Sequence, residues 1–392
     1  MRVLRLILAL SLCSILSSIA FGQEPVVNAK SAVIMDAVSG KILWGRASYT
    51  PRYPASTTKI LTTLLLLENV KDLQSRITAG PNTEQVTGSS LHLKPGETIS
   101  AEDAAYAMML RSANDACVAV AQTVSGSVVE FSNLMNQRAL EIGCQNSNFR
   151  NPNGLPDPSH KTTAYDLALI AREAMRNETF RTIAATKSRI ISRSVNQTDL
   201  LIKTRNKWLL KDATADGIKT GYTNDAGHCY VGSAVRKNFR VITVILNSES
   251  WQDDHKTMLE WAFKNYQIGM KKSKGEVLSQ IPVKGGVTQE IPVAAKVPVQ
   301  LLQRVTDTQG YAFDWPSDLK LNAPVKKGET VGTVLIRDAD GFRVKVPLIA
   351  AQTVPKAQNI LKDRLGAHPA WYAIVGGMLG AAWIMRRRTR HY

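Results

Sequence analysis

Ser56 and Lys59, Ser112 and Asn114, and the run Lys219-Thr220-Gly221 are the residues whose types and spacing could do chemistry. Three apart at a helix start, Ser56 and Lys59 share a face and lie within reach of each other. A hydroxyl beside an amine is a nucleophile beside a base, provided the amine is neutral. With a pKa of about 10.4, only about one lysine in 2,500 is neutral at pH 7. Lowering that pKa to ~8 raises the neutral fraction to roughly a tenth, at a cost of about 3 kcal/mol in the charged form. Partial burial and a second cation would accomplish this, and Lys219 is the cation the sequence offers. The helix N-terminus adds free backbone N–H groups and positive potential, which suit an oxyanion.

Ser112 and Asn114 fall in a break between helical patterns. A loop there presents a hydroxyl near the amine, and an amide able to bind both lysine and a substrate backbone. In Lys219-Thr220-Gly221 the glycine lets a substrate strand approach closely, and the lysine and threonine suit a terminal carboxylate. Alone, each string reads as a solvated helix start, a pair of helix caps or an edge-strand lysine. In one chain and in this order they supply a nucleophile, a base, a proton relay and a carboxylate anchor.

These groups need a rigid frame. Ser31–Met35 and Ile42–Trp44 are β-prone runs around a Ser39-Gly40 turn. Pro54-Ala55-Ser56 opens an apolar helical stretch over Thr57–Leu67. Two helical patterns between Ala101 and Val124 break at residues 111–114, and Phe131–Ile142 and Thr163–Met175 read as further helices. Residues 145–160, rich in Asn, Pro and Gly, are loop. After residue 221 come a strand pair, Cys229–Val235 and Phe239–Leu246, and a helix over Thr257–Tyr266. Strands at both ends with helices between predict one sheet whose first and last strands are neighbours, in an α/β sandwich with a helical subdomain. From about Gly275 short Val- and Pro-punctuated strands predict a separate small β domain.

The formal net charge of +17 over 392 residues argues for an anionic neighbour: a phospholipid headgroup, a wall polymer or an acidic peptide. Nucleic acid fits less well, because no basic stripe with interleaved aromatics occurs. Two arginines, an apolar run from Leu6 to Phe21 and small residues at Ala20 and Gly22 read as a secretory signal peptide, or else as an uncleaved anchor. At the other end Ala370–Met385 is uncharged and precedes Arg386, Arg387, Arg388 and Arg390. Sixteen residues reach only about 24 Å as a helix, but starting at Leu365 gives spanning length. The arginines would then lie in the cytoplasm and the body of the protein outside. The expected division is therefore signal 1–22, hydrolase domain 23–272, β-sandwich domain 275–351, linker 352–368, transmembrane anchor 369–385 and basic tail 386–392. Cys117, Cys144 and Cys229 remain after the signal. They have no metal-like spacing and read as buried hydrophobes, with no metal or cofactor implied.

The three strings match the set used by active-site serine penicillin-binding proteins and class A β-lactamases. The surrounding words are more specific. Ser31-Ala-Val-Ile-Met-Asp36, Pro54-Ala-Ser-Thr-Thr-Lys59, Leu93-Lys-Pro-Gly96, Met109-Leu-Arg-Ser-Ala-Asn-Asp-Ala116, Asn153-Gly-Leu-Pro-Asp-Pro158 and Asp216-Gly-Ile-Lys-Thr-Gly-Tyr-Thr223 resemble the D-alanyl-D-alanine carboxypeptidases, the low-molecular-mass penicillin-binding proteins. The likeness covers about residues 28–355 and includes the β domain. It implies a β-lactamase/transpeptidase-like fold and cleavage of peptidoglycan stem peptides through an acyl-enzyme. In these terms Ser56 is the acyl-ester nucleophile, Lys59 the proton acceptor and Ser112 the proton relay. Asn114 positions substrate, Lys219 and Thr220 hold its carboxylate beside Gly221, and the backbone N–H groups of Ser56 and Tyr222 hold the oxyanion. β-Lactam antibiotics are the implied inhibitors, and the outer face of the cytoplasmic membrane the implied location.

The sequence departs from that family in two places. The family's anchor is usually an amphipathic helix, whereas this tail reads as spanning. Members also often carry a carboxylate-binding arginine past the final strand pair, where this chain has Trp251-Gln-Asp-Asp254. A β-lactamase also needs a deacylating glutamate, and residues 145–160 hold none. A D,D-endopeptidase cutting cross-links, or a weakly catalytic wall-binding or shape-determining protein, would use the same residues.

Overall fold

The computed structural model describes residues 23–306, 310–338 and 340–357. The expected signal sequence, membrane helix and basic tail, and the expected linker beyond residue 357, lie outside these residues. No helix among the described residues is long and apolar enough to cross a membrane. The chain divides into two units, one running through Ile268 and taking in the stretch from Leu302, the other beginning at Gly269.

The first unit is built on a five-stranded antiparallel sheet. Its strands are β1 (Ser31–Asp36), β2 (Ile42–Arg46), β7 (Ala215–Thr223), β8 (Gly227–Arg236) and β9 (Phe239–Ser248), in the order β2-β1-β9-β8-β7. First and last strands are neighbours, as expected: Val33 pairs with Val244 and Met35 with Ile242. All six residues of β1 are buried, because both sheet faces are covered. Ala32 and Ile34 face one core, with Tyr230, Ile245, Met258 and Leu259. Val33 and Met35 face the other, with Leu61, Leu64, Ile242 and Val244. That alternation is the period-two pattern of a strand clad on both sides.

The helical layer contains α1 (Lys59–Asn69), α2 (Ala101–Tyr106), α3 (Asn114–Ser125), α4 (Val128–Ile142), α5 (Ala164–Ala174) and α6 (Glu178–Ala185), whereas the short α7 (Lys207–Lys211) packs its Trp208 on His255 at the other sheet face. Residues 59–66 of α1 are all buried; a helix enclosed on every side lies inside the domain. Small hairpins join β3 (Arg76–Thr78) to β4 (Thr98–Ser100) and β5 (Ser188–Ile190) to β6 (Leu201–Lys203). The other sheet face carries α8 (Trp251–Asn265). Asp254 accepts from Asn28 N (2.7 Å), Ala29 N (2.9 Å) and Ser248 Oγ (2.6 Å), so this carboxylate fastens the segment entering β1.

Three local expectations need correction. The helix expected over Thr57–Leu67 starts as a 3₁₀ turn at Ala55–Thr58 before α1. Thr57 and Thr58 hydroxyls donate to the Pro54 and Ala55 carbonyls (2.6 and 2.9 Å) and tighten that turn. The helix expected over Thr257–Tyr266 starts at Trp251, with Asp253 and Asp254 at its positive end. Lys219-Thr220-Gly221 lies within edge strand β7 rather than ahead of the strands.

The second unit contains a six-stranded sheet. Its strands are ordered Ala312–Asp314, Thr330–Arg337, Arg343–Ala350, Glu290–Ala295, Val277–Lys284 and Leu321–Asn322. All neighbours are antiparallel except the last pair. Ile291, Val293, Val334, Ile336, Val346 and Leu348 alternate inward to form its core.

Candidate active site

The 3₁₀ turn delivers Ser56 to the mouth of a cleft and Lys59 to its floor. Lys59 is fully buried. Its Nζ lies 3.0 Å from Ser56 Oγ, 2.7 Å from Asn114 Oδ1 and 2.6 Å from the Asn153 carbonyl. Three acceptors would satisfy an ammonium. A neutral amine has two N–H donors and a lone pair: the donors go to Asn114 and Asn153, and the lone pair to the serine hydroxyl. Burial pulls the Lys59 pKa down to about 8, with the Arg205 guanidinium adding to the effect and Cys117 and Asp115 opposing it. The sequence offered Lys219 as the depressing charge; the main cause is burial, and the cation that helps is Arg205. The repulsion between the two lysines falls on Lys219, whose pKa lies well below its usual value through burial and then through Lys59.

Two glycines permit this packing. At Gly154 (φ +83°) a Cβ would lie 1.9 Å from the Ala55 carbonyl oxygen. The Asn153 carbonyl can therefore close over Lys59 only if no side chain follows it. At Gly221 a Cβ would lie 2.9 Å from Ser56 N, so β7 passes directly beside the Ser56 backbone N–H.

The second motif is set by a π-helical turn, Ala107–Arg111, that ends at Ser112 in the left-handed region (φ 64°). This break turns Ser112 toward the cleft and starts α3 at Asn114. Asn114 Nδ2 donates to the Thr87 carbonyl (2.7 Å), which leaves Oδ1 facing the amine. Asn114 N donates to the Ser89 carbonyl (2.7 Å), and Asp115 accepts from Leu91 N and Leu93 N (3.1 and 2.9 Å). Together they pin residues 87–93 over the site.

Ser56, Ser112, Thr220, Gly221 and Tyr222 line one cleft of about 370 Å³ with Ser89, Arg205, Lys207, His228, Trp251 and Gln252. Lys59, Asn114 and Lys219 lie beneath that surface. Lys219 is 1 % exposed and its Nζ donates to the Thr220 carbonyl (2.9 Å). Tyr222 is exposed and stacks on His228 across the β7–β8 pair, ring centroids 4.6 Å apart.

Sequence reasoning missed Arg205, Lys207, Ser89 and Asn153. Arg205 stands just ahead of α7, and its Nη1 donates to Ser89 Oγ. Among the described residues it is the one arginine lining the cleft, and it arrives from another element than the expected position, where Trp251 packs on Tyr230 at 4.5 Å. Nothing in the sequence near Arg205 marks it; only the fold brings it to Ser112 and Thr220. Asn153 stood inside a recognised word, but its contribution is a backbone carbonyl, which no residue type announces. His160 is buried near the turn. Its Nδ1 accepts from Arg150 N (3.0 Å), its Nε2 meets Thr58 Oγ1 (2.9 Å), and burial lowers its pKa to about 4. It therefore stays neutral and braces the turn. Cys117, Cys144 and Cys229 are buried free thiols.

Comparison with known proteins agrees with this geometry. The sequence profile of the D-alanyl-D-alanine carboxypeptidase family matches residues 20–250, and that of the penicillin-binding protein 5 C-terminal domain matches residues 271–356. The chain is 29 % identical over 357 residues to D-alanyl-D-alanine carboxypeptidase DacF of Bacillus subtilis, covering 88 % of this chain and 91 % of that protein. It is 30 % identical over 331 residues to the Haemophilus influenzae carboxypeptidase DacA, covering 79 % and 81 % respectively. It also resembles the crystal structure of penicillin-binding protein 5 from Haemophilus influenzae, with a TM-score of 0.67 at 27 % identity over 85 % of this chain and 99 % of that one. With a serine and a buried amine joined at the head of α1 and a glycine-bearing strand edge beside them, the chain belongs to the D-alanyl-D-alanine carboxypeptidase family.

Proposed function

We propose that this protein is a serine-type carboxypeptidase that removes the terminal D-alanine from peptidoglycan stem pentapeptides and is acylated by β-lactams. The observation that carries this reading is the 3.0 Å contact between Ser56 Oγ and a lysine whose other two hydrogen bonds are already taken. Neutral Lys59 accepts the Ser56 proton as Oγ attacks the carbonyl between the two D-alanines. The charge that develops on the substrate's carbonyl oxygen meets the N–H groups of Ser56 and Tyr222, each donor worth about 10²–10³ in rate. Ser112 passes a proton to the leaving amine, the C–N bond breaks, and D-alanine departs from a Ser56 ester. Water then cleaves the ester and regenerates the hydroxyl. Asn114 orients the substrate amide and the lysine together.

Thr220 and Arg205 meet the free carboxylate, and Lys219 beneath them holds the Thr220 carbonyl in place through its Nζ. On this reading Arg205 replaces the arginine absent at Trp251. A signal peptide over 1–22 and an anchor over 369–385 place the enzyme outside the cytoplasmic membrane, on the side where stem peptides are found. The two-domain division at 23–272 and 275–351 belongs to the same proposal.

The test is incubation of the purified protein with a stem pentapeptide, following free D-alanine, with Ser56→Ala alongside. Release of one D-alanine per peptide that disappears in the variant supports the reading. Cleavage of cross-linked dimers without attack on the pentapeptide makes the protein an endopeptidase instead. Neither activity, nor any penicillin adduct at Ser56, leaves it a non-catalytic wall protein.

A further inference from the structure

The second unit gathers unpaired positive charge where the described chain ends. Residues 353–357 run between two other segments. On one side Val287 N donates to the Pro355 carbonyl (3.1 Å) and Ala357 N to the Gly285 carbonyl (2.8 Å). On the other Val325 and Val354 form a bridge, and Lys327 N donates to Thr353 Oγ1 (3.1 Å). Lys284 leads into the first flank, Lys326 and Lys327 follow the bridge in the second, and Lys356 lies between them, bridged to Gly286. All four lysines are exposed, and none has a carboxylate within ion-pair distance among the described residues. The nearby Glu329 is engaged by Lys326 N (3.0 Å). Val287, on the same turn, is 59 % exposed.

We propose that this rim, Lys284, Lys326, Lys327 and Lys356 with Val287, seats on the anionic headgroups of the membrane surface. The inference rests on the extracytoplasmic, membrane-attached reading above and adds a second contact to it. Residues 358–369 separate Ala357 from the apolar run and reach at most about 40 Å fully extended. A chain held by that run keeps the rim within tether range of the lipid, so weak contacts act as intramolecular ones. Each lysine near an anionic surface gains about fivefold in occupancy, an effect that salt removes. An exposed valine beside the amines suits the boundary between headgroup and acyl chain.

The test uses the full chain in vesicles of phosphatidylcholine alone and of phosphatidylcholine with one-third phosphatidylglycerol. Flotation reports attachment, and a brief amine-reactive label read by mass spectrometry reports each lysine. The expected result is about fivefold less labelling of the four lysines in anionic vesicles, relative to Lys187 and Lys237, reversed in 1 M salt. If the chain floats with both vesicles but the four label equally in each, the rim proposal fails and the anchor stands. If it floats only with anionic vesicles and leaves in salt, the anchor fails, and protection of the four upholds the rim. Flotation with neither overturns both. Protection that is the same on neutral lipid points to contact between protein copies and overturns the rim.

Discussion

Two buried charge sites in the first unit solve the same physical problem in opposite ways. At Glu97–Arg193 both side chains are fully buried and paired, with Arg193 Nε 2.8 Å from Glu97 Oε1 and a second bond from Nη2 to Oε2 at 3.2 Å. Burial alone would raise the Glu97 pKa; the Arg193 bond and the backbone N–H groups of Lys94 and Asn196 outweigh it and hold it below the usual value. On the catalytic floor Lys59 and Lys219 are equally buried, yet their bonds go to neutral oxygens. The nearest acid, Asp115, spends its oxygens on Leu91, Leu93 and Ala116 N–H groups. Where charge only has to be tolerated, the fold neutralises it. Where a base is needed, it withholds the partner, and an ammonium without one gives up its proton at a lower pH than usual.

The sharpest break of this contrast is at the base itself. Lys59→Ala should lower acylation by labelled penicillin about 10⁴-fold or more, since nucleophile and base act as a unit. Lys59→Arg should not restore it, because a guanidinium stays protonated. Both variants should remain folded by circular dichroism; collapse of the fold instead would make Lys59 a structural residue. At the paired site the cost should fall on stability. Arg193→Ala should destabilise by about 3–5 kcal/mol in urea titration, and Arg193→Met with Glu97→Leu should recover most of it. An unaltered midpoint in the single variant would mean that the pair is not buried in solution.

Smaller effects refine the catalytic side. Gly221→Ala pushes a Cβ toward Ser56 N and should lower acylation about 10²-fold, the value of one oxyanion donor. Arg205→Gln should lower kcat/KM on the pentapeptide about 10- to 100-fold through KM, the worth of a hydrogen bond to a charged group. It should also move the acid limb of the rate profile to higher pH, because Arg205 depresses Lys59. An unshifted limb would remove Arg205 from the electrostatics.

The gentlest test is pH, and its sign differs between the sites. Acylation should fall about tenfold per unit below a pKa of about 8, as Lys59 becomes protonated. Between about 8 and 10.5 the unfolded chain holds the Lys59 proton and the folded one does not. This group's contribution to stability is therefore lowest below pH 8, and it rises by about 3 kcal/mol as pH climbs through that window. For Glu97, whose folded pKa is lowered, stabilisation is complete above the usual value and is lost as pH falls through the folded one. Lys59→Met should remove the Lys59 part of the alkaline rise and leave that of Lys219, and the double replacement of Arg193→Met with Glu97→Leu should remove the Glu97 part of the acid loss.

Much of the enzyme was legible in the sequence because it rests on local rules. The β-prone run Ser31–Met35 marks a strand, and the apolar run after Ser56 marks a helix. Ser56 with Lys59, and Ser112 with Asn114, are near in sequence and so must be near in space. Strand β7 is not legible as an element ahead of the Cys229–Val235 and Phe239–Leu246 pair, because a strand with Gly217 and Gly221 in it carries a weak β signal. The short β3–β4 and β5–β6 hairpins and helices α6 and α7 have too few residues to show a period.

What the sequence determined by itself is the chemical inventory: a serine, an amine three residues on, a hydroxyl–amide pair and a cationic strand edge. Tertiary structure alone decided that the amine's pKa falls to about 8. That outcome depends on burial, on a carbonyl from Asn153 and on a guanidinium from Arg205, lying 94 and 146 residues beyond Lys59 in the chain. Desolvation and Coulomb fields act through space, and spacing along a chain fixes neither.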